Sequence, residues 1–160
     1  MNDEEVENKE NEAIQKLETL LKTPTVAVIL EPLVQGAGGM NMVRPQFIKK
    51  VSEIINNNNS LLIADEVLTG FGRCGSLFAF QKAKIIPDLI SISKGLTGGF
   101  LPMGITLCKE KIFQSFIDDS PRKTFWHGHS FTANPLGCAA ANASLDLLEK
   151  EPHKYLSFEE

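Results

Sequence analysis

The fold class can be read from residues 26–66, VAVILEPLVQGAGGMNMVRPQFIKKVSEIINNNNSLLIADE. The run at 26–30 is rich in β-branched residues and bounded by prolines, so it predicts a buried strand. Glycines at 35–39 predict a loop. Pro45, followed by apolar residues at helical spacing, predicts a helix that stops in the asparagines 56–59. Residues 61–64 predict a second buried strand. Strand, helix and strand in this order predict a βαβ unit with a parallel sheet.

The remainder of the chain continues the pattern. Beyond a glycine loop at 69–75 the sequence predicts a short helix (77–84), a strand (89–93), a further strand (104–108) and a helix near 109–116. A last, alanine-rich helix starts from Asn134 as N-cap and Pro135 at the first helical position. The predicted fold class is α/β, with a mainly parallel sheet flanked by helices.

Three segments are expected from the sequence. Residues 1–25 predict an acidic leader, frayed at its start, and a short amphipathic helix on the surface, because Ile14, Leu17, Leu20 and Leu21 recur at helical intervals. Residues 26–150 form the main body, and residues 151–160 a tail.

Charge and composition exclude several classes of function. Seven of the 20 acidic residues but two of the 16 basic ones lie in residues 1–18, which leaves the body near neutral. No basic stripe is available for nucleic acid. No apolar run approaches the roughly 20 residues needed to cross a bilayer, and the start does not resemble a signal peptide. We therefore expect a cytoplasmic protein without nucleic-acid or membrane partners.

The three cysteines do not form a recognisable metal or disulfide pattern. Cys74, Cys108 and Cys138 are far apart in sequence, with no C-x-x-C pair and no histidine at ligand spacing. We expect reduced thiols and no metal site.

Three predicted strands end in a polar residue: Glu31 before Pro32, Asp65 before Glu66, and Lys94 before Gly95. In open α/β sheets ligands bind outside the carboxyl ends of the strands, so these residues should face a common cleft. A desolvated lysine there can form a Schiff base, and a neighbouring carboxylate can keep a pyridinium nitrogen protonated. The pair suggests pyridoxal phosphate. The residues alone leave open an exposed strand-end lysine and an Asx-turn at Asp65.

The segment before the last helix offers an anion site. Residues 128–132, GHSFT, bring hydroxyls and backbone N–H groups beside a helix N-terminus, where a phosphate is favourably held. Ser130 and Thr132 could equally cap backbone groups.

Four motifs carry a resemblance to a known family: EPLVQGAGGM at 31–40, DEVLTGFGR at 65–73, SKGLTGGFLP at 93–102 and HGHSFTANPLGCAAA at 127–141. The sequence resembles the class III, fold type I, pyridoxal-phosphate aminotransferases from about residue 26 to residue 149.

The resemblance assigns roles to residues. Lys94 is implied as the lysine that binds the cofactor covalently and shuttles the substrate proton, so it is both the catalytic residue and a cofactor and substrate contact. Asp65 matches the carboxylate on the pyridine nitrogen, and Val67 the side chain behind the ring. Ser130, accompanied by His129, falls where the family contacts the phosphate of the partner subunit's cofactor in a homodimer. Gly128 falls at a substrate contact.

Within the family the motifs are most similar to the biotin-synthesis branch. Ala37 stands where enzymes acting on ornithine and related ω-amines usually have glutamate, and the glycines at 38–39 and 98–99 also fit that branch. The implied reaction is transfer of an amino group from S-adenosylmethionine to 8-amino-7-oxononanoate, which gives 7,8-diaminononanoate. Arg73 is read as a loop residue.

Family members are far longer, so the resemblance covers only a central part of such an enzyme. The residues expected before and after it, including a Gly-Ser phosphate turn, a ring-stacking aromatic and a carboxylate-binding arginine, have no match here. We therefore expect the chain alone to be inactive. Two alternatives stay open: a truncated or split piece that acts at most as an association partner, and a class III aminotransferase with another amino donor.

Overall fold

The structure, a computed structural model, describes residues 3–156 and contains an α/β fold. A four-stranded sheet has the order β1-β4-β5-β6, formed by β1 (Ala27–Leu30), β4 (Leu61–Asp65), β5 (Leu89–Ile92) and β6 (Ile105–Cys108). The first three strands are parallel and β6 is antiparallel to β5. The prediction of a mainly parallel sheet flanked by helices is confirmed.

The predicted βαβ unit is present. The helix α2 (Pro45–Asn57) connects β1 to β4, begins at the predicted proline and ends within the asparagine run. It buries Ile48, Val51 and Ile55. Because the connection is a helical crossover between adjacent parallel strands, the carboxyl ends of β1 and β4 lie at the same edge of the sheet.

The N-terminal helix differs from the prediction. The helix α1 (Asp3–Leu20) includes the acidic residues that the sequence suggested would fray. Ile14 is buried and, with Leu21 just beyond the helix, packs against Val51, Ile55 and Leu62. The predicted amphipathic helix is therefore present, but its acidic start is helical from Asp3 onward, and its apolar face packs onto the core beside α2. Met1 and Asn2 lie outside the described residues.

The strand β1 is less buried than predicted. It is the outermost strand of the sheet; Ile29 within it is 60% exposed, and Val26 just before it is 82% exposed. A run of apolar residues does not reveal whether both faces of a strand are covered, and here one face is open. Part of the predicted loop forms a hairpin, with β2 (Val34–Gln35) pairing antiparallel to β3 (Asn41–Met42).

The second half of the chain contains the short helices α3 (Ala79–Lys82) and α4 (Glu110–Phe113), the long helix α5 (Pro135–Lys150) and α6 (Pro152–Tyr155). The predicted cap is confirmed, since Asn134 Oδ1 accepts from Gly137 N at 2.7 Å. Ala141 of α5 packs with Ile92 and Leu96. Of the predicted tail, residues 157–160 lie outside the described residues. Within residues 3–156, no helix combines the length and apolarity that crossing a membrane requires.

Candidate active site

Asp65 and Lys94 lie at the same edge of the sheet. Asp65 is the last residue of β4 and pairs with Ser91 of β5, and Lys94 lies two residues beyond the end of β5. Asp65 is half-buried, and its Oδ1 accepts from Val67 N at 3.0 Å. Asp65 therefore forms the Asx-turn that the sequence left as an alternative, and this turn leaves its second carboxylate oxygen available to a ligand.

The backbone at Lys94 is in the left-handed region, with φ 38°. A short 3-10 turn begins there, and Leu96 N donates to Ser93 O at 2.8 Å. Residues other than glycine are uncommon at such angles, and strained positions of this kind gather at functional sites when the surrounding structure enforces them. Gly95 is part of that enforcement, because a Cβ there would lie 2.8 Å from Phe71 Cβ.

The 3-10 turn Lys94–Thr97, called the lysine turn below, is hydrogen-bonded to α5. Ser144 Oγ donates to Gly95 O at 3.2 Å, and Leu96 of the turn packs with Ala141. A second hydroxyl, Ser93 Oγ, donates to Met103 O at 2.5 Å. Backbone and hydroxyl contacts thus fix the turn on both sides of Lys94, while the side chain itself is exposed. The expected desolvation of this lysine is not provided by the described residues.

A cavity of about 820 Å³ opens beside Lys94. Its lining includes Thr97 of the lysine turn, Ser144 of α5 and Tyr155 of α6. Asp65 does not line this cavity. The two residues lie at the carboxyl ends of adjacent strands, but this cavity is not the common cleft that the sequence predicts. Arg73 lines the cavity. From the sequence Arg73 is read as a loop residue, and its place in the lining of this cavity depends on tertiary structure.

Glu66, next to Asp65, is fully buried. Its carboxylate accepts from Thr69 Oγ1 at 2.5 Å and from Phe80 N at 2.9 Å. Burial raises the pKa of Glu66, and these donors oppose that rise. The sequence pattern does not distinguish Glu66 from Asp65, because the two acids are adjacent. Only the structure shows that the Glu66 side chain is buried inside the turn, whereas Asp65 is half-buried.

The loop at 128–132 lies beside the lysine turn but does not reach Lys94. His129 lines a second cavity, of about 650 Å³, together with Ser93 and Thr132. Thr132 Oγ1 accepts from His129 N at 3.0 Å, and Phe131 N donates to His129 Nδ1 at 3.1 Å. Gly128 and Ser130 are exposed. Thr132 therefore caps the loop backbone, while Ser130 is exposed to solvent.

Glu31 also lies at this edge but is directed elsewhere. Its Oε2 accepts from Ala37 N at 3.1 Å, so it fastens the hairpin that follows β1. The expectation that Glu31 faces a cleft with Lys94 is not met, because the hairpin supplies a nearer backbone donor.

Comparison with known proteins places this arrangement among aminotransferases. The profile of the aminotransferase class-III family matches residues 1–155. Adenosylmethionine-8-amino-7-oxononanoate aminotransferase of Synechococcus elongatus is 60% identical over 147 residues, which are 91% of this chain and 35% of that protein. The protein of the same name from Geobacter sulfurreducens is 45% identical, over 88% of this chain and 32% of that protein. The chain thus spans about a third of the length of these relatives.

Solved structures agree with the sequence relatives. Adenosylmethionine-8-amino-7-oxononanoate aminotransferase of Methanocaldococcus jannaschii superposes with a TM-score of 0.79 at 35% identity, covering 87% of this chain and 34% of that one. Ornithine aminotransferase of Toxoplasma gondii, a structure described with partial occupancy of PLP, gives 0.76 at 34% identity, covering 87% and 31%. The family match begins at residue 1, so α1 is included in it although the sequence motifs begin only at residue 31.

Proposed function

The chain belongs to the aminotransferase class-III family, and from this we propose that it supplies the lysine-bearing part of an enzyme that transfers an amino group to 8-amino-7-oxononanoate. Class III aminotransferases use pyridoxal phosphate and act on small molecules. The observation that carries the proposal is the placement of Asp65 and Lys94 at the carboxyl ends of adjacent parallel strands. We place residues 26–150 in the central part of a cofactor-binding large domain of fold type I.

The donor set fits pyridoxal phosphate. The cofactor presents an aldehyde, a pyridine nitrogen and a phosphate, which call for an amine, a carboxylate and hydroxyl or N–H donors. Lys94 and Asp65 supply the amine and the carboxylate for one cofactor, and Ser130 supplies a hydroxyl for the phosphate of the partner subunit's cofactor. The left-handed backbone at Lys94 and the Asx-turn at Asp65 hold two of them in defined places. The cofactor, when bound, supplies an electron sink that stabilises the carbanion formed as the substrate loses a proton.

Each residue then has a definite task. Lys94 Nζ would hold the cofactor covalently and, once displaced by the amino donor, carry the proton between substrate and cofactor carbons. The second oxygen of Asp65 would keep the proton on the pyridine nitrogen. Val67, half-buried two residues later, would cover one face of the ring. Ser130 and His129 would contact a phosphate, and Gly128 would leave room for substrate.

The proposed substrates follow from the relatives. Eight proteins between 40% and 60% identical to this chain share the name adenosylmethionine-8-amino-7-oxononanoate aminotransferase. Ala37 supports this branch against those that act on ω-amines. We therefore propose S-adenosylmethionine as the amino donor and 7,8-diaminononanoate, an intermediate of biotin synthesis, as the product.

We further propose that the whole enzyme is a cytoplasmic homodimer. The exposed Ser130 lies in a segment whose apolar side chains also face solvent, with Phe125 65%, Trp126 80% and Phe131 74% exposed. Such a patch is typical of an interface. The three free thiols are compatible with a reducing compartment.

Borohydride labelling tests the proposal. The full chain is incubated with pyridoxal phosphate, reduced and mapped by mass, alone and after addition of the segments that the longer relatives contain. We expect the label on Lys94, its loss in Lys94→Ala, and wild-type labelling in Lys50→Ala, a matched change of an exposed lysine on α2. Amino transfer from S-adenosylmethionine to 8-amino-7-oxononanoate should appear only in the complemented sample.

Two results would contradict the proposal in different ways. Label spread evenly over many lysines, with Lys94→Ala no different from wild type, would remove the cofactor site. Label on Lys94 combined with transfer from another donor, and none from S-adenosylmethionine, would keep the site and replace the substrate.

A further inference from the structure

The residue next to Asp65 faces in the opposite direction. Glu66 has no exposed surface, whereas Asp65 before it and Val67 after it are half-buried. Thr69, near the far end of the same turn, is also fully buried. Glu66 is therefore the inward member of a turn whose two outward members are the proposed cofactor contacts.

Three parts of the fold meet at Glu66. Its backbone N–H donates to Ser91 O of β5 at 2.9 Å, and its carbonyl accepts from Gly70 N at 2.9 Å. Its carboxylate accepts from Thr69 Oγ1 and from Phe80 N. The turn is tight, since a Cβ at Gly70 would lie 2.8 Å from Glu66 O. One residue thus joins the sheet edge, the 65–70 turn and the start of α3.

The position of Asp65 depends on this turn. The Asp65 side chain takes its orientation from the hydrogen bond that it accepts from Val67 N. The Val67 N–H lies inside the turn that Glu66 closes. A shift of the turn relative to α3 would leave the part-buried Phe80 N–H without its acceptor, and a donor left unpaired away from water is costly. The turn, and with it the Asp65 carboxylate, is therefore held in one place.

We propose that Glu66 is a positioning residue, which holds the 65–70 turn so that the Asp65 carboxylate meets the pyridine nitrogen of the cofactor. The inference rests on the proposed function, which gives Asp65 a cofactor to hold. Glu66 acts through its neighbours and does not touch the cofactor, because its carboxylate is enclosed by the turn and by α3.

Two variants of Glu66 distinguish the effect of its hydrogen bonds from the effect of the space that its side chain fills. Glu66→Met keeps a side chain of similar length but offers no oxygen to Thr69 and Phe80. Glu66→Gln keeps one carbonyl acceptor for Phe80 N, and the Thr69 hydroxyl can turn to accept from the amide. Asp88→Asn is the matched control, since Asp88 is also a buried carboxylate that accepts from a backbone N–H, but it precedes β5 and so lies at the opposite edge of the sheet.

The measurements use the full chain with and without pyridoxal phosphate. Without cofactor, Glu66→Met should speed amide hydrogen exchange in residues 65–71, and Asp88→Asn should not. With cofactor, Glu66→Met should weaken binding about tenfold, the equivalent of one lost buried hydrogen bond. It should also shift the pH midpoint of the bound cofactor's visible band. Glu66→Gln should recover most of both effects.

Three other results would also support or overturn the proposed role of Glu66. If Glu66→Met and Asp88→Asn give the same exchange, affinity and pH midpoint, Glu66 is only a structural anchor and the inference is wrong, although cofactor binding by the wild type still supports the proposed function. If Glu66→Met does not fold, Thr69→Val removes one donor to the carboxylate: weaker binding by about threefold supports the inference, and unchanged binding overturns it. Absence of cofactor binding by the wild-type chain, with or without the complementing segments, would overturn the proposed function and the inference together.

Discussion

Asp65, the last residue of β4, pairs in parallel register with Ser91 of β5, and Ser91 precedes Lys94 by three residues. Parallel pairing sends both strands out at the same edge of the sheet, so a carboxylate and a lysine that are 29 positions apart in the sequence become neighbours in the fold. The proposed chemistry depends on this pairing, and the following predictions test the residues that create or support it.

Removing the charge of Asp65 should weaken cofactor binding without unfolding the chain. In Asp65→Asn the amide oxygen can still accept from Val67 N, so the Asx-turn survives. The charged hydrogen bond to a pyridinium nitrogen is lost, at about 1.5–3 kcal/mol, which corresponds to roughly ten- to a hundredfold weaker binding. Titration of the visible cofactor band measures the affinity. Asp119→Asn, an exposed carboxylate of the same type, should bind like wild type. Equal affinity of Asp65→Asn and wild type would remove Asp65 from the site.

A methyl group at Gly95 should disturb the lysine turn. The added Cβ would lie 2.8 Å from Phe71 Cβ and 2.9 Å from Phe71 Cδ2. Overpacking of this kind costs about 1–3 kcal/mol. We expect Gly95→Ala to lower the free energy of unfolding by that amount, and Gly104→Ala, whose Cβ would lie 3.7 Å from Ile92 O, to have a small effect. Urea unfolding of both variants makes the comparison, and equal midpoints would show that the Phe71 contact is not limiting.

Acid should destabilise the fold partly through Asp88. Burial disfavours ionisation of this carboxyl, but the N–H of Leu62 and the ammonium groups of Lys109 and Lys111 outweigh it and hold its pKa below the ordinary value. A lowered pKa in the folded state stabilises the protein above the unfolded pKa, near pH 4, and this contribution is lost as the pH falls through the folded pKa.

The variant Asp88→Asn tests that pH dependence. It should be less stable than wild type at pH 7 by about 1–3 kcal/mol, since the charged hydrogen bonds are gone, and it should lose less stability between pH 5 and about pH 2. Thermal unfolding over that range measures both effects. A parallel decline of variant and wild type with falling pH would assign the acid sensitivity to other carboxylates.

The cap of α5 should matter more than its exposed face. Asn134 Oδ1 accepts from Gly137 N at 2.7 Å, so Asn134→Ala removes the acceptor and should cost about 1 kcal/mol. Asn142 is exposed on the same helix, and Asn142→Ala should be neutral or slightly stabilising because alanine favours the helix. Chemical unfolding compares the pair. Because α5 holds the lysine turn through Ser144, Asn134→Ala should also speed exchange of the amides at 95–99.

Much of the fold could be predicted because it follows from local patterns. The helix α2 was predicted from its proline start, its apolar spacing and its asparagine stop. The cap at Asn134 was predicted from two adjacent residues. The exposure of Ile29 could not be predicted, because it depends on which strand lies at the edge of the sheet. Nor could the burial of Ile14, which depends on α1 packing against α2, far along the chain.

Part of the candidate site could likewise be predicted from the sequence, and part of it depends on tertiary structure. The residue types at 65 and 94, at the ends of predicted strands, suggested the cofactor, and the four motifs carried the resemblance to the family. Tertiary structure alone decided that Glu66 faces inward while Asp65 faces outward, that Glu31 accepts from Ala37 N, and that Ser144 contacts Gly95 beside Lys94. The physical reason is range: propensity, capping and periodicity act between residues a few positions apart, whereas burial and hydrogen bonding in the site join β4, β5, α3 and α5, which only the packing of the whole sheet brings together.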